Sequence, residues 1–224
     1  MYKTLKFERA RDSLSYVIRH FNINEMHIPY YLCDVVRHTL VQEGCKPIFY
    51  HINDDFMPTD EFDKNDFVLY PNYFGVCDKN ANKLSKIYPN LILDNAHAFF
   101  TQPLGIASFN SAYKFGLGEF SYLFLKTAEI SDFILNDYLD EKLRRREKFI
   151  EIHNKYSSTN LLKIDIDSVP FCYPYLAKNL EDADIIAKEL IDKGFEVYRY
   201  WNAIPENYNE YKFYSRLVPL PIEP

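Results

Sequence analysis

Residues 90–97 read Asn90-Leu91-Ile92-Leu93-Asp94-Asn95-Ala96-His97. Three consecutive aliphatic residues run straight into a carboxylate and a polar turn. An apolar run without alternation marks a strand covered on both faces, which is the habit of parallel sheets. Working outward from it, strand-like and helix-like stretches alternate at short spacing. Upstream, Asp12–Phe21 carries Leu14, Val17, Ile18 and Phe21 at helical spacing, with Asp12 as its N-cap. Met26–Tyr31 reads as a strand, Asp34–Glu43 as a helix closed by Gly44, and Lys46–Ile52 and Asp66–Tyr70 as strands. Lys79–Tyr88 reads as a short helix, and downstream Ile106–Ser111 and Ser121–Leu125 as two more strands. The spacing predicts βαβ units, and therefore an α/β fold with a mostly parallel, two-faced sheet.

A long charged helix is expected over Ile130–Ser157. Beyond it come a strand at Val169–Leu176, an amphipathic helix at Glu181–Lys193 stopped by Gly194, and a strand at Phe195–Trp201. This division predicts a large α/β domain over 1–150 and a small C-terminal α+β domain over 151–224.

Composition narrows the function. The 224 residues include 6 Gly, 19 Tyr and 18 Phe. With so few glycines there is no GxGxxG turn and no GxxxxGK[ST] loop, so glycine-dependent nucleotide sites are excluded. A phosphate would have to be held by backbone amides, hydroxyls and helix ends. The formal net charge of −6 speaks against a nucleic-acid partner. The basic run Lys142–Arg146 is read as a solvated helix face. Cys33, Cys45, Cys77 and Cys172 form no CxxC pair, so neither a metal site nor a disulfide framework is expected, and reduced thiols fit a cytoplasmic protein. The sequence offers no signal peptide or bilayer-length apolar run, so no membrane association is expected.

Ligands of open α/β sheets bind beyond the carboxyl ends of the strands. Four polar clusters fall there: Tyr30-Tyr31, Asn72-Tyr73-Phe74-Gly75, Asp94-Asn95-Ala96-His97 and Ser111-Ala112-Tyr113-Lys114. Asp94 is either a cap for the segment starting near His97 or a carboxylate facing a protonated ring nitrogen of a cofactor. Lys114 is either a surface lysine or an amine whose apolar surroundings lower its proton affinity and suit it to Schiff-base chemistry. Its S-x-x-K context also occurs in penicillin-recognising enzymes, but the accompanying S-D-N and K-T-G motifs are absent.

The ordered set A-R-D-S-L (10–14), I-P-Y-Y-L-C (28–33), G-C-K-P-I-F-Y (44–50), N-Y-F-G (72–75), L-D-N-A-H (93–97) and S-A-Y-K-F (111–115) resembles fold-type-I pyridoxal-phosphate enzymes. It looks most like the DegT-type aminotransferases, which act mainly on nucleotide-linked keto-sugars. V-P-F-C-Y-P-Y (169–175), F-E-V-Y-R-Y-W (195–201) and L-V-P-L-P-I (217–222) are similar to that family's small domain. The resemblance implies pyridoxal phosphate as cofactor and Lys114 as the lysine that binds it and moves the proton. Asp94 would face the pyridine nitrogen, and His97 the side of the ring bearing the phenolic oxygen; a capping or core role is the alternative for His97. Ser111 would contact the phosphate, together with the backbone amides of Arg11, Asp12 and Ser13. Tyr31 or Tyr30 would stack on the ring or simply pack, and Asn72 would sit at a turn beside it. Arg199 and Trp201 would line the substrate mouth.

The resemblance further implies ping-pong transfer from an amino-acid donor, a nucleotide-sugar substrate, a role in polysaccharide biosynthesis and a homodimer. Two departures stand out. Ala10 occupies a place where relatives often have Gly, and the stretch between Lys114 and Val169 is short. They leave open a catalytically inactive relative that serves as a binding or structural partner.

Overall fold

The computed structural model describes residues 1–127 and 138–222. Among the described residues seven strands form one sheet: β1 (Tyr2–Phe7), β2 (Glu25–Pro29), β3 (Lys46–Tyr50), β4 (Val68–Pro71), β5 (Leu91–Asn95), β6 (Ala107–Asn110) and β7 (Ser121–Lys126). Their order is β1-β7-β6-β5-β4-β2-β3. The pairs β2–β3, β2–β4, β4–β5 and β5–β6 are parallel, whereas β7 runs antiparallel to both β6 and β1. The expected α/β class and mostly parallel sheet are therefore present.

Both faces of the sheet are covered, and the central strands show why their sequences are so apolar. Val68 and Tyr70 of β4 and Leu91 and Leu93 of β5 enter one core. Their neighbours Leu69 and Ile92 enter the other, with Leu14, Val17 and Ile18 of α1 (Ala10–His20) and Val36 and Leu40 of α2 (Asp34–Gln42). Alternate residues thus serve opposite layers, so no position is left for a polar side chain until the strand ends.

α3 (Asp78–Ile87) links β4 to β5, and α4 (Leu139–Tyr156) covers the aromatic core through Phe149. The expected helix from residue 130 has its first residues, 130–137, outside the described residues. A two-stranded antiparallel sheet joins β8 (Cys172–Leu176) to β9 (Leu217–Pro221), flanked by α5 (Leu180–Asp192) and α6 (Tyr211–Arg216). Tyr173, Leu217 and Val218 of this sheet share a core with Tyr31, Tyr70 and Tyr73. The described residues contain no helix long and apolar enough to cross a membrane.

Several expectations are corrected. Asp12 does not cap α1. Arg9 does, and Asp12, at the third helical position, accepts the Arg9 amide at 3.0 Å. Residues 195–201 form no strand: Trp201 takes a left-handed φ of 60°, and the Arg199 guanidinium is bound to Asp184 and to the Ser215 carbonyl. The Val169–Leu176 strand starts only at Cys172, because the Phe171 amide is diverted to the carbonyls of Phe74 (3.1 Å) and His97 (3.0 Å). The basic run is not wholly solvated. Arg145 is 2% exposed, bonded to Glu141 (2.7 Å) and to the Phe171 carbonyl (3.3 Å), with its guanidinium over Phe115. Three elements had no counterpart in the sequence reading: β1, α6 and β9.

Candidate active site

The sheet changes direction between β2 and β4, since β3 lies outside β2 while β5 and β6 extend the other way. Crevices at such switch points, beyond the carboxyl ends of the strands, are where α/β sheets bind ligands. Here Pro71, Asp94 and Phe109 stand in register across β4, β5 and β6, and all three line a cavity of about 220 Å³. Leu32 and Cys33 close it beyond β2, Val35 and Val36 of α2 form one wall, and Arg9, Ala10 and Arg11 at the start of α1 form another. Ser111, Lys114, His97 and Trp201 complete it.

Asp94 lies on the same face of β5 as Ile92, toward α1 and α2. One carboxylate oxygen accepts the Ala96 amide at 2.8 Å, a local turn that leaves the other oxygen outside this bond. Burial raises the Asp94 pKa, opposed by the Ala96 amide and the Lys114 charge. Lys114 sits in a short 3-10 turn after β6, Tyr113–Phe115, where its amine is 2.6 Å from His97 Nε2. Burial lowers the Lys114 pKa, while Asp94, Cys33 and Cys172 act in the opposite sense. Burial, then the neighbouring lysine, holds the His97 imidazole well below its usual pKa. The site therefore favours a neutral imidazole beside an amine that gives up its proton more readily than usual.

The His97 ring, 4% exposed, lies nearly parallel to Phe171 (centroids 5.0 Å apart, 23°) and to Trp201 (5.6 Å, 11°). The turn after β4 is fitted to it. Phe74 has φ 54°, and Gly75 has φ 82°, where a Cβ would meet the His97 carbonyl oxygen at 2.1 Å. Only glycine allows this approach.

The α1 end carries donors. The Asp12 and Ser13 amides already bond the Arg9 carbonyl, at 3.0 and 3.3 Å. That leaves the Ala10 and Arg11 amides, at the first two helical positions, ahead of the helical bonding pattern and at the cavity wall.

Of the residues singled out from the sequence, Arg11, Asn72, Asp94, His97, Ser111, Lys114 and Trp201 are brought to one cavity. Asp12 is outside it. The Ser13 hydroxyl is buried against that of Ser121 at 2.8 Å. Tyr31 is buried behind the wall, edge-on to Trp201 and stacked on Tyr73. Asn72 lines the cavity, but its amide group is engaged internally, donating to Asp78 and Asn95 and accepting the Cys77 amide. Arg199 is held away by Asp184 and Ser215. Sequence reasoning gave Phe171 no role. Its only local signal is the Pro170-Phe171 pair at the head of an apolar run.

The fold is the one seen in solved aminotransferases, among them a sugar aminotransferase and one of the DegT/DnrJ/EryC1/StrS type. Spr1654 of Streptococcus pneumoniae, named as a sugar aminotransferase and solved with pyridoxal phosphate, superposes with a TM-score of 0.74. The match has 15% identity and covers 99% of this chain and 82% of that one. PseC of Helicobacter pylori, an aminotransferase of pseudoaminic acid biosynthesis, gives 0.71 at 16% identity over 97% and 81% of the two chains. A DegT/DnrJ/EryC1/StrS aminotransferase of Brucella abortus gives 0.72 at 12% identity over 97% and 80%. No protein-family model and no curated protein matches the sequence.

Proposed function

We propose that the protein is a pyridoxal-phosphate-dependent aminotransferase that transfers the amino group of an amino acid to a nucleotide-linked keto-sugar in a ping-pong cycle. The observation that carries this reading is the meeting of Asp94, His97 and Lys114 at one cavity, at the ends of β5 and β6. The donor set fits the cofactor: a carboxylate for the ring nitrogen, an amine for the aldehyde, and the Ser111 hydroxyl with the Ala10 and Arg11 amides for the phosphate. At about 220 Å³ the cavity is below the roughly 300–1,000 Å³ of pockets that enclose drug-sized ligands, so it suits one substituted ring. A nucleotide-linked substrate would extend outward past Arg9, Arg11 and Val35.

When bound, the cofactor supplies an electron sink that stabilises charge at the substrate carbon. The chain's own residues do the rest. Lys114, its proton affinity lowered by burial, takes and returns the proton. His97 Nε2 lies 2.6 Å from the lysine amine, and their hydrogen bond fixes the amine's direction. Asp94 brings a carboxylate to the cavity beside Ala96 and His97, and the apolar wall of Leu32, Val35 and Val36 restricts water. We read residues 1–150 as the cofactor-binding unit and 151–224 as a small C-terminal unit, in a cytoplasmic homodimer serving polysaccharide biosynthesis.

The test is a spectrum of the purified protein with added cofactor, before and after borohydride, followed by peptide mass mapping. A visible-edge absorbance band and a reduced adduct on Lys114, both lost in Lys114→Ala, are expected. A colourless protein that gains no band overturns the reading. A protein that binds the cofactor but performs no half-reaction with glutamate and a keto-sugar would instead be a binding relative.

A further inference from the structure

Among the described residues, four non-glycine residues have a left-handed backbone, and three of them are aromatic: Phe56 (φ 60°), Phe74 (φ 54°) and Trp201 (φ 60°). Bulky L residues avoid this region, and such outliers persist only where surrounding structure holds them. These three pack as a group. Phe56 meets Phe74 at 6.1 Å between centroids, and Phe74 stacks on Trp201 at 5.8 Å and 27°. Two of them also reach His97: Phe74 at 5.8 Å, and Trp201 at 5.6 Å and only 11° from coplanar.

We propose that Trp201 is a positioning residue, held in a strained conformation so that its indole lies flat against the His97 imidazole and aims Nε2 at the Lys114 amine. Trp201 comes from the irregular segment between α5 and α6, far in sequence from the rest of the site, and is itself part of the cavity wall. Its edge is set by Tyr31 (4.6 Å, 72°) and Tyr73 (5.7 Å, 64°), two buried rings that give it no room to swing inward. On the imidazole, the two near-parallel neighbours, Phe171 and Trp201, limit rotation out of plane. With the ring so held, His97 Nε2 and Lys114 Nζ stay 2.6 Å apart. The titratable groups facing the pair are Asp94 from β5, Cys33 at the start of α2, Cys172 from β8 and Tyr200 beside the indole. The functional meaning of this device rests on the reading of Lys114 as the reactive amine, but its geometry does not.

The experiment follows the imidazole directly in the cofactor-free full-length chain. Protein labelled with ¹⁵N-histidine is titrated by NMR, with His97→Gln assigning the signal. In the wild type the two ring nitrogens should remain distinct, one protonated and one not, to well below the ordinary histidine value of 6.5. Trp201→Leu keeps apolar bulk without a flat ring. It should average the two nitrogen shifts and move the titration back up toward 6.5, as water reaches the ring. Trp201→Phe should retain the wild-type behaviour.

Trp201→Gly guards against a misfolded leucine variant, because glycine takes the left-handed backbone without strain. It should release His97 as leucine does. Thermal melting identifies which variants are folded. If folded Leu or Gly variants titrate like the wild type, the indole merely packs and the proposal fails. A protein that releases His97 as expected but binds no pyridoxal phosphate would overturn the proposed function and leave the positioning role intact.

Discussion

Lys114 Nζ lies 2.6 Å from His97 Nε2 inside a largely apolar cavity, two nitrogens that cannot both carry a charge there without penalty. Burial lowers the pKa of both. Unfolded, Lys114 binds its proton up to its ordinary 10.5, whereas the folded chain gives it up earlier. The unfolded state thus holds more protons in that interval, and stability rises with pH across it. Lys114→Met removes the burden. The variant should be more stable than the wild type near neutral pH, with the gain fading toward pH 10.5. It should also lose transamination by about 10²–10⁴-fold. Denaturant melts across pH, alongside a half-reaction assay, check both parts; a variant less stable at every pH would contradict the account.

The same sign holds for His97 at lower pH. Its folded pKa is below 6.5, so between that value and 6.5 the unfolded chain binds the extra proton and stability increases with pH. His97→Gln should flatten this rise by up to about 1.4 kcal/mol per pH unit. Cofactor-free melts of both proteins over the acidic range measure it, and parallel profiles would remove His97 from the titration.

Gly75 and Gly44 make a controlled pair. Both have positive φ, but a Cβ at Gly75 would meet the His97 carbonyl at 2.1 Å and Pro170 Cα at 2.8 Å, whereas Gly44 has open space. Gly44→Ala should cost about 1 kcal/mol, the backbone penalty alone. Gly75→Ala must also displace the His97 backbone, and should cost at least about 3 kcal/mol and weaken cofactor binding. Equal losses at the two positions would mean that the turn after β4 is not fitted to the site.

How much of this was legible depended on whether the signal was local. β5 could be read because both its faces are buried, so Leu91, Ile92 and Leu93 had to be apolar and Asp94 marks where burial ends. The same logic found Lys114 and Ser111 after β6. β1 was missed because it is the half-exposed edge strand, with lysines at 3 and 6 interrupting its pattern. Phe195–Trp201 was misread as a strand because its aromatic and β-branched composition imitates one. Its backbone is set instead by Trp201, which meets Tyr31 edge-on and stacks on His97, residues over a hundred positions away. Phe171 escaped notice for the same reason, since nothing in its neighbourhood announces a histidine ring brought in from β5.

Arg145 shows what a charged helical run can hide. Its guanidinium is buried, holds the Phe171 carbonyl and lies over Phe115, so it supports the ring that flanks His97. Glu141 is drawn below its usual pKa by Arg144 and Arg145 together. Arg145→Ala should cost about 2–3 kcal/mol, while Arg146→Ala, whose contacts lie at the surface, should cost less than about 0.5 kcal/mol. Chemical denaturation of both variants is the check, and similar losses would return Arg145 to the solvated face.

Asp94 sets the last prediction. Burial raises its pKa in the free chain, against the opposing pull of the Ala96 amide and the Lys114 charge. A carboxyl group with raised pKa binds more protons folded than unfolded, so stability falls as pH climbs from the ordinary 3.8 through the folded value. Asp94→Asn keeps the shape and the contact to the Ala96 amide through its carbonyl oxygen, but never ionises. In the cofactor-free chain it should therefore be at least as stable as the wild type at neutral pH. With cofactor the order should reverse, because a protonated ring nitrogen needs the negative charge: binding should weaken and the half-reaction slow by about 10²–10³-fold. Melting curves with and without pyridoxal phosphate test both halves at once. A variant destabilised equally in the two conditions would make Asp94 a turn-forming residue and nothing more.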